Sequence, residues 1–390
     1  MKGFLTMTLF RDQNITQSSL QQLIDDQVTE SQELEYKQDL FQNEKFDGKT
    51  KNKILKEITA FANTTGGIII IGIEEDDHHT PNKLIGSGLS MSQYDTWHAS
   101  FNQIVQTNIF PRLHGLVCTP VSLNNGQIAI VISIPKSYSR PHCCKIDNRQ
   151  EYHMRVGNIM RTMEIDDLRK AFLYTNGLQD KIRYFHNERI SMIMSNECIG
   201  DMGTGPKIVF HIIPEWSFEL GNMIDLEYFR TSSYFKPISG NNWSFRYNID
   251  GICIYDENLN SGILNSYTQV FHNGIIEATE IRCLSSYKEN LIYDWNALQR
   301  IILRIMEIYA EMLEKNHIPK PWHILATILN GKGFSAYDDW LGSSKPLDRD
   351  IINSLDGICV DDNTMHDALK PVFNSLSHAF GYSQSLIFRD

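Results

Sequence analysis

Acidic side chains near the start of this 390-residue chain are spaced for metal-assisted chemistry. Glu30 and Glu35 bound the run Glu30-Ser31-Gln32-Glu33-Leu34-Glu35, which continues into Tyr36-Lys37, and Glu74 and Glu75 follow the apolar run Ile68 to Ile73. If the two runs form neighbouring strands, Glu30, Glu35 and Glu75 converge at one end of a sheet, with Glu74 beside them. Hard divalent cations such as Mg²⁺ or Mn²⁺ take oxygen ligands and bridge to phosphate oxygens. A metal so held activates water and neutralises charge on a phosphate under attack. Lys37 shares the strand face of Glu35 by the period-two rule and can reach a phosphate oxygen. The lysines Lys45, Lys49, Lys51, Lys53 and Lys56 then form a basic run between the two acidic clusters, suited to tracking a nucleic-acid backbone. The plain alternative is that the glutamates are solvated element ends and the lysines a solvated helix start.

The elements that must position these groups follow from apolar periodicity. Leu20, Leu23, Ile24 and Val28 give a helix over Ile15 to Val28, capped by Asn14. Leu34 to Lys37 alternates as a strand. Ile54, Leu55, Ile58, Phe61 and Ala62 predict a helix over 51–63, stopped by Gly66-Gly67. Ile68 to Ile73 is a buried strand, and further strands fall at Leu84–Ile85, Ile128 to Ile134 and His153 to Val156. A helix is expected over Met163 to Leu173. Residues 176–206 read as a junction, with a helix over Asp180 to Met194 and a Gly-rich linker. A second unit then starts with the strand Lys207 to Ile213. Strands at Gly251 to Tyr255, Tyr267 to Phe271 and Leu325 to Leu329 follow, with a long helix over Trp295 to Lys315. The expected class is α+β: a first domain over residues 1–175, a helical junction and linker over 176–206, and a mixed α/β domain over 207–390.

Other constellations are weaker. Gly48-Lys49-Thr50 resembles the end of a phosphate-binding loop, but the glycine wanted five positions earlier is Asn43. His142, Cys143, Cys144 and His153 offer zinc-ligand types, yet adjacent cysteines lack the spacer that turns both thiolates to one metal, so zinc is not expected. The second half is aromatic, with Trp216, Phe218, Tyr228, Tyr234, Phe235, Trp243 and Phe245. Such rings fill a core or an oligomer interface more often than they stack on bases.

The residues above also carry a resemblance. Glu30-Ser31-x-x-x-Glu35-Tyr36-Lys37, Ala60-Phe61-Ala62-Asn63-Thr64-x-Gly66-Gly67 and Gly72-Ile73-Glu74-Glu75 are similar to the Alba-like domain of the Schlafen family. Arg140-Pro141-His142, Tyr152 to Gly157 and Pro111 fit its later blocks, so the resemblance spans residues 15–175. It implies a metal-dependent nuclease acting on RNA, tRNA included, or on single-stranded nucleic acid, with antiphage defence as its setting. It also implies a catalytic and metal-binding set of Glu30, Glu35 and Glu75, the family usually having aspartate at the third place. Lys37, Lys45, Lys49, Lys51, Lys53, Arg140, His142 and Arg155 are the expected nucleic-acid contacts, and Mg²⁺ or Mn²⁺ the expected cofactor. Many bacterial proteins with this domain are described only as nucleic-acid- or ATP-binding. A non-catalytic nucleic-acid-binding or regulatory module therefore stands beside the nuclease reading, as does a scaffold that assembles with another defence protein. Nuclease-active relatives pair two lobes, and only one is legible here. A homo-oligomer, or residues 207–390, must supply a second.

Composition bounds the rest. A net charge of -11 excludes a chain coated in basic surface, though not a local basic groove. Seven scattered cysteines in a chain this long call for no disulfide framework, and the start carries no signal peptide, so a cytoplasmic protein is expected. No apolar run is long enough to span a bilayer, and no membrane partner is expected.

Overall fold

Ile68-Ile69-Ile70-Ile71 has no polar face, so a strand built from it must be covered on both sides. The structure, a computed structural model, describes residues 15–38, 48–219, 221–240, 242–281, 291–293, 295–338, 342–361 and 363–388. Its contacts divide the chain into two units, Met1–Asn176 and Gly177–Asp390. The class is α+β.

The first unit runs α1 (Gln17–Asp25), β1 (Leu34–Lys37), α2 (Gly48–Asn63), β2 (Gly66–Ile71), β3 (Ile73–Glu75), β4 (Pro81–Leu84) and α3 (Met91–Asn108). It continues through β5 (Ile109–Phe110), β6 (Val117–Ser122), β7 (Ile128–Pro135), β8 (Cys143–Ile146), β9 (Arg149–Val156) and β10 (Ile159–Thr162). One sheet has the order β1-β2-β7-β6, with β1 parallel to β2; a second has the order β10-β9-β8-β5. Alternate residues of β2 face opposite cores. Ile68 and Ile70 pack with Leu20, Leu23 and Ile24 of α1, and with Leu34 and Tyr36. Ile69 and Ile71 pack with Ile54, Leu55, Ile58 and Phe61 of α2, and with Trp97 and Phe101 of α3. Thr16 caps α1, its hydroxyl accepting from Ser19 N; the expected cap Asn14 lies outside the described residues. Helix α3 has no counterpart among the sequence expectations.

Helix α4 (Ile165–Met194) is one unbroken helix where two were expected, and it crosses the division between the units. In the second unit β11 (Lys207–Pro214), α5 (Leu226–Thr231), β12 (Trp243–Asn248), β13 (Gly251–Glu257), β14 (Leu264–Phe271) and β15 (Ile276–Glu280) follow. Then come β16 (Leu291–Tyr293), α6 (Trp295–Lys315), β17 (Trp322–Leu329), β18 (Ser335–Asp338), β19 (Gly342–Ser343), β20 (Ile352–Asn353), β21 (Gly357–Cys359) and α7 (Met365–Ala379). An antiparallel sheet has the order β12-β13-β14-β15-β11-β17-β20, with β21 also on β17. Ile208, Phe210 and Ile212 of β11 face α6 and α7, packing with Ile302, Tyr309, Leu369 and Phe373. Val209 faces the other way, onto Ile190 and Ile193 of α4. Among the described residues no helix is long and apolar enough to cross a membrane.

Candidate functional site

Period two on β1 decides where the acidic group forms. Leu34 and Tyr36 point to the α1 core, which turns Glu35 and Lys37 toward α2. There Lys37 Nζ donates to Glu35 Oε1, and Arg155 Nη1 on β9 donates to Glu35 Oε2 at 2.9 Å and to Glu57 Oε2 at 3.1 Å. Arg155 is fully buried. Its Nη2 donates to the carbonyls of Ser31 and Asn158 at 2.9 and 3.1 Å, and its guanidinium lies 4.3 Å from the centre of the Phe61 ring.

Glu30 and Glu75 lie alongside. Glu30 Oε1 accepts from Tyr36 N at 2.9 Å. Burial pushes its carboxyl above the ordinary range, and nearby Glu35 pushes it further. Burial and then Glu30 do the same to Glu75, whose Oε1 is buried with no hydrogen-bond partner among the described residues. Glu57 is raised too, by burial and then by Glu35. Glu74 stands across from Lys83 of β4, and a register shift separates it from Glu75. Four carboxylates thus share one region with two cations, Lys37 and Arg155. The excess negative charge would favour a divalent ion, but the geometry does not provide for one. Among the described residues no group of three or more His, Cys, Asp or Glu side chains is placed to hold a metal, and both oxygens of Glu35 already face cations. The set as placed does not fit the expected Mg²⁺ or Mn²⁺.

The most specific motif, Phe61 to Gly67, is architectural. Asn63 Nδ2 donates to the carbonyls of His142 and His153 at 2.8 and 2.9 Å, while its Oδ1 accepts from His142 N at 2.7 Å. Thr64 Oγ1 accepts from Arg155 N at 2.9 Å. A Cβ on Gly67 would stand 2.4 Å from the Phe61 ring; Gly66, at φ +75°, would set one 2.5 Å from Lys136 N. The motif therefore locks the end of α2 to β9, which carries Arg155, and to His142 just ahead of β8.

Two expected nucleic-acid contacts are corrected by burial. Arg155 is spent on Glu35 and Glu57 inside the fold. His142 has no exposed surface: its Nδ1 is 2.8 Å from the carbonyl of Pro111, its Nε2 bonds Ser137 Oγ, and burial pushes its pKa down to about 4. Arg140 is half-buried, donating to the Thr64 carbonyl at 3.3 Å with its guanidinium 4.0 Å from the Tyr174 ring centre. Lys37 is half-buried beside Glu35. Lys49 and Lys53 are exposed on the first turns of α2 and Lys51 is half-buried, while Lys45 lies outside the described residues. Lys56, half-buried, pairs with Glu151 at 2.7 Å. Glu57 was not among the expected site residues, though a signal existed: it sits three residues after Ile54 and four before Phe61, a charge inside the buried stripe of a helix.

The second unit holds a buried polar chain of its own. Arg189 of α4 grips Glu277 with Nε and Nη2 at 2.8 and 2.9 Å. Glu277 Oε2 lies 2.9 Å from His211 Nε2, His211 Nδ1 lies 2.9 Å from His186 Nδ1, and His186 Nε2 lies 2.9 Å from Thr327 Oγ1. Burial alone would raise the Glu277 carboxyl, but Arg189 and His211 hold it below the ordinary range. This chain fastens α4 to the sheet.

Residues 30–164 match the model of the Schlafen, AlbA_2 family, which bears out the resemblance carried by the motifs. Among solved structures, the DIP2311 protein from Corynebacterium diphtheriae is 21% identical at a TM-score of 0.24, over 34% of this chain and 22% of that one. The N-terminal domain of a RecG-related protein from Nitrosomonas europaea is 17% identical at a TM-score of 0.22, over 30% of this chain and 72% of that one. The chain thus spans about a fifth of the length of the first of these. No curated protein matches it.

Proposed function

We propose that the first unit is a nucleic-acid-binding module whose phosphate contacts are the exposed lysines at the start of α2. The observation that carries this reading is an adjacency: Lys49 and Lys53 share a helical face, and the next residue of that face, Glu57, enters the carboxylate group. Cations that reach solvent beside buried acids suit a backbone held over a polar recess. The family match supports nucleic acid as the ligand class. RNA cleavage is the second reading, favoured by Glu75, whose buried, unpartnered oxygen and raised pKa suit it to hold or pass a proton.

Fluorescence anisotropy with tRNA and single-stranded DNA, across a salt series, tests the first reading. Replacing Lys49, Lys51 and Lys53 with alanine should weaken binding and flatten the log–log salt slope by roughly 0.7–0.9 for each phosphate no longer neutralised. Binding unchanged by that variant would remove the lysine face from the mechanism. Incubating the same RNAs with Mg²⁺ or Mn²⁺ tests the second reading, with Glu75→Gln as its control. No cleavage by the parent chain under either ion would leave a binding module.

A further inference from the structure

The two edges of the large antiparallel sheet are defended differently. One ends in the two-residue β20 and the three-residue β21, too short to recruit another strand. The other ends in β12, six residues paired to β13 in unbroken register from Trp243 opposite Asp256 to Asn248 opposite Gly251. Among the described residues no strand pairs the outer side of β12. It carries no proline, lysine or bulge, and its one charge, Arg246, is engaged at the Ile199 carbonyl, to which its Nη2 donates.

Its side chains alternate without a break: Trp243, Phe245 and Tyr247 on one face, Ser244, Arg246 and Asn248 on the other. The aromatic face is the one expected to be buried, yet its three residues are 42%, 49% and 51% exposed. Helix α5 reaches it through Arg230 over the Phe245 ring at 5.8 Å and Glu227, which accepts from Tyr247 OH at 2.7 Å.

We propose that β12 pairs with β12 of a second copy of this chain, joining two sheets across a two-fold axis through Phe245. The sequence is self-complementary in that register. Antiparallel pairing centred on residue 245 sets Phe245 opposite its own copy, Trp243 opposite Tyr247 and Ser244 opposite Arg246. Every aromatic ring then meets an aromatic ring on one face, a favourable cross-strand arrangement, and no like charges meet. A centre on Arg246 would bring the two guanidinium groups together. A centre between the two would set rings against polar residues. Charge argues against unpaired nucleic acid as the occupant. Among the described residues Arg230 and Arg246 are the cations at this edge, Arg230 is already paired with Glu227, and the adjoining strand β13 follows Asp250 and ends in Asp256 and Glu257. This inference concerns the second unit and stands apart from the nucleic-acid reading of the first.

The test is the mass of the full chain by light scattering and sedimentation across a dilution series. The parent should run at twice its 45.0 kDa chain mass. Phe245→Glu and Phe245→Lys, each confirmed folded by circular dichroism, should each fall to a monomer, because each sets two like charges face to face. Mixed in equal amounts they should return to the dimer mass, since opposite charges then meet across the axis. A monomeric parent, a dimer that survives either substitution, or a mixture that stays monomeric would each overturn the proposal. So would a monomeric parent whose tryptophan fluorescence is quenched by oligothymidylate, which would assign the strand to bases instead.

Discussion

Arg155 stood in the sequence as a phosphate contact, and in the fold it is the counter-ion of two buried glutamates. Arg155→Met keeps the packing on Phe61 but takes the cation from Glu57 and leaves Glu35 with Lys37 alone, so it should cost about 3–5 kcal/mol, read from the urea midpoint. Adding Glu57→Gln should recover part of that loss; a cost under about 1 kcal/mol for Arg155→Met would contradict the pairing described. His142 makes a separate prediction about pH. It stays neutral in the fold down to about 4, while its ordinary value is 6.5. Below 6.5 the unfolded chain therefore binds the extra proton, and stability falls as the solution is acidified from 6.5 toward 4. By about pH 5 the loss should reach about 2 kcal/mol. Glu30, Glu57 and Glu75 are shifted upward and act in the opposite direction, so the informative quantity is the difference between the parent and His142→Gln, whose dependence over roughly pH 5–7 should be shallower. Equal slopes would show that His142 does not titrate as described. Residue types and spacing singled out Glu30, Glu35 and Glu75, which the fold brings within electrostatic reach of one another. They were not enough to tell a phosphate ligand from a counter-ion, because the partners of Arg155 are 98 and 120 residues away in the chain.

At the scale of elements, amphipathic patterns were legible and uniform ones were not. Helix α6 falls on its expected span because Leu298, Ile302, Ile305 and Tyr309 mark one buried face. Helix α3 is not legible in the sequence because its buried residues Tyr94, Trp97, Phe101 and Val105 are mostly aromatic and interleaved with polar ones that suit a loop equally well. Helix α4 runs unbroken across the stretch between Leu173 and Asp180, where the sequence pattern breaks off. Gly177 is inside that helix, and a Cβ there would meet nothing within 4 Å. Gly177→Ala should therefore stabilise the protein by about 0.5–1 kcal/mol through helix propensity alone. A loss of stability by thermal melting would indicate that the helix needs the glycine's freedom at that point.

For the molecule as a whole, an edge-to-edge dimer would couple folding to concentration. The melting temperature of the parent should rise with protein concentration, while that of Phe245→Glu should not, because mass action stabilises only a species that associates when folded. A parent melting temperature independent of concentration would count against the dimer. The placement of β11 carries a consequence for synthesis. It lies between β15 and β17, and every one of its eight residues is buried. The first strand of its unit to emerge, it has no strand to pair with until Ile276–Glu280 has been made, and none on its second side until Trp322–Leu329. At ~5–20 residues per second that is a wait of roughly 5–20 s, during which both its edges are unpaired and its Ile208, Phe210 and Ile212 face stands uncovered beside the ribosome. A nascent chain arrested before residue 322 should be a strong client for chaperones, and release from it should follow the addition of β17.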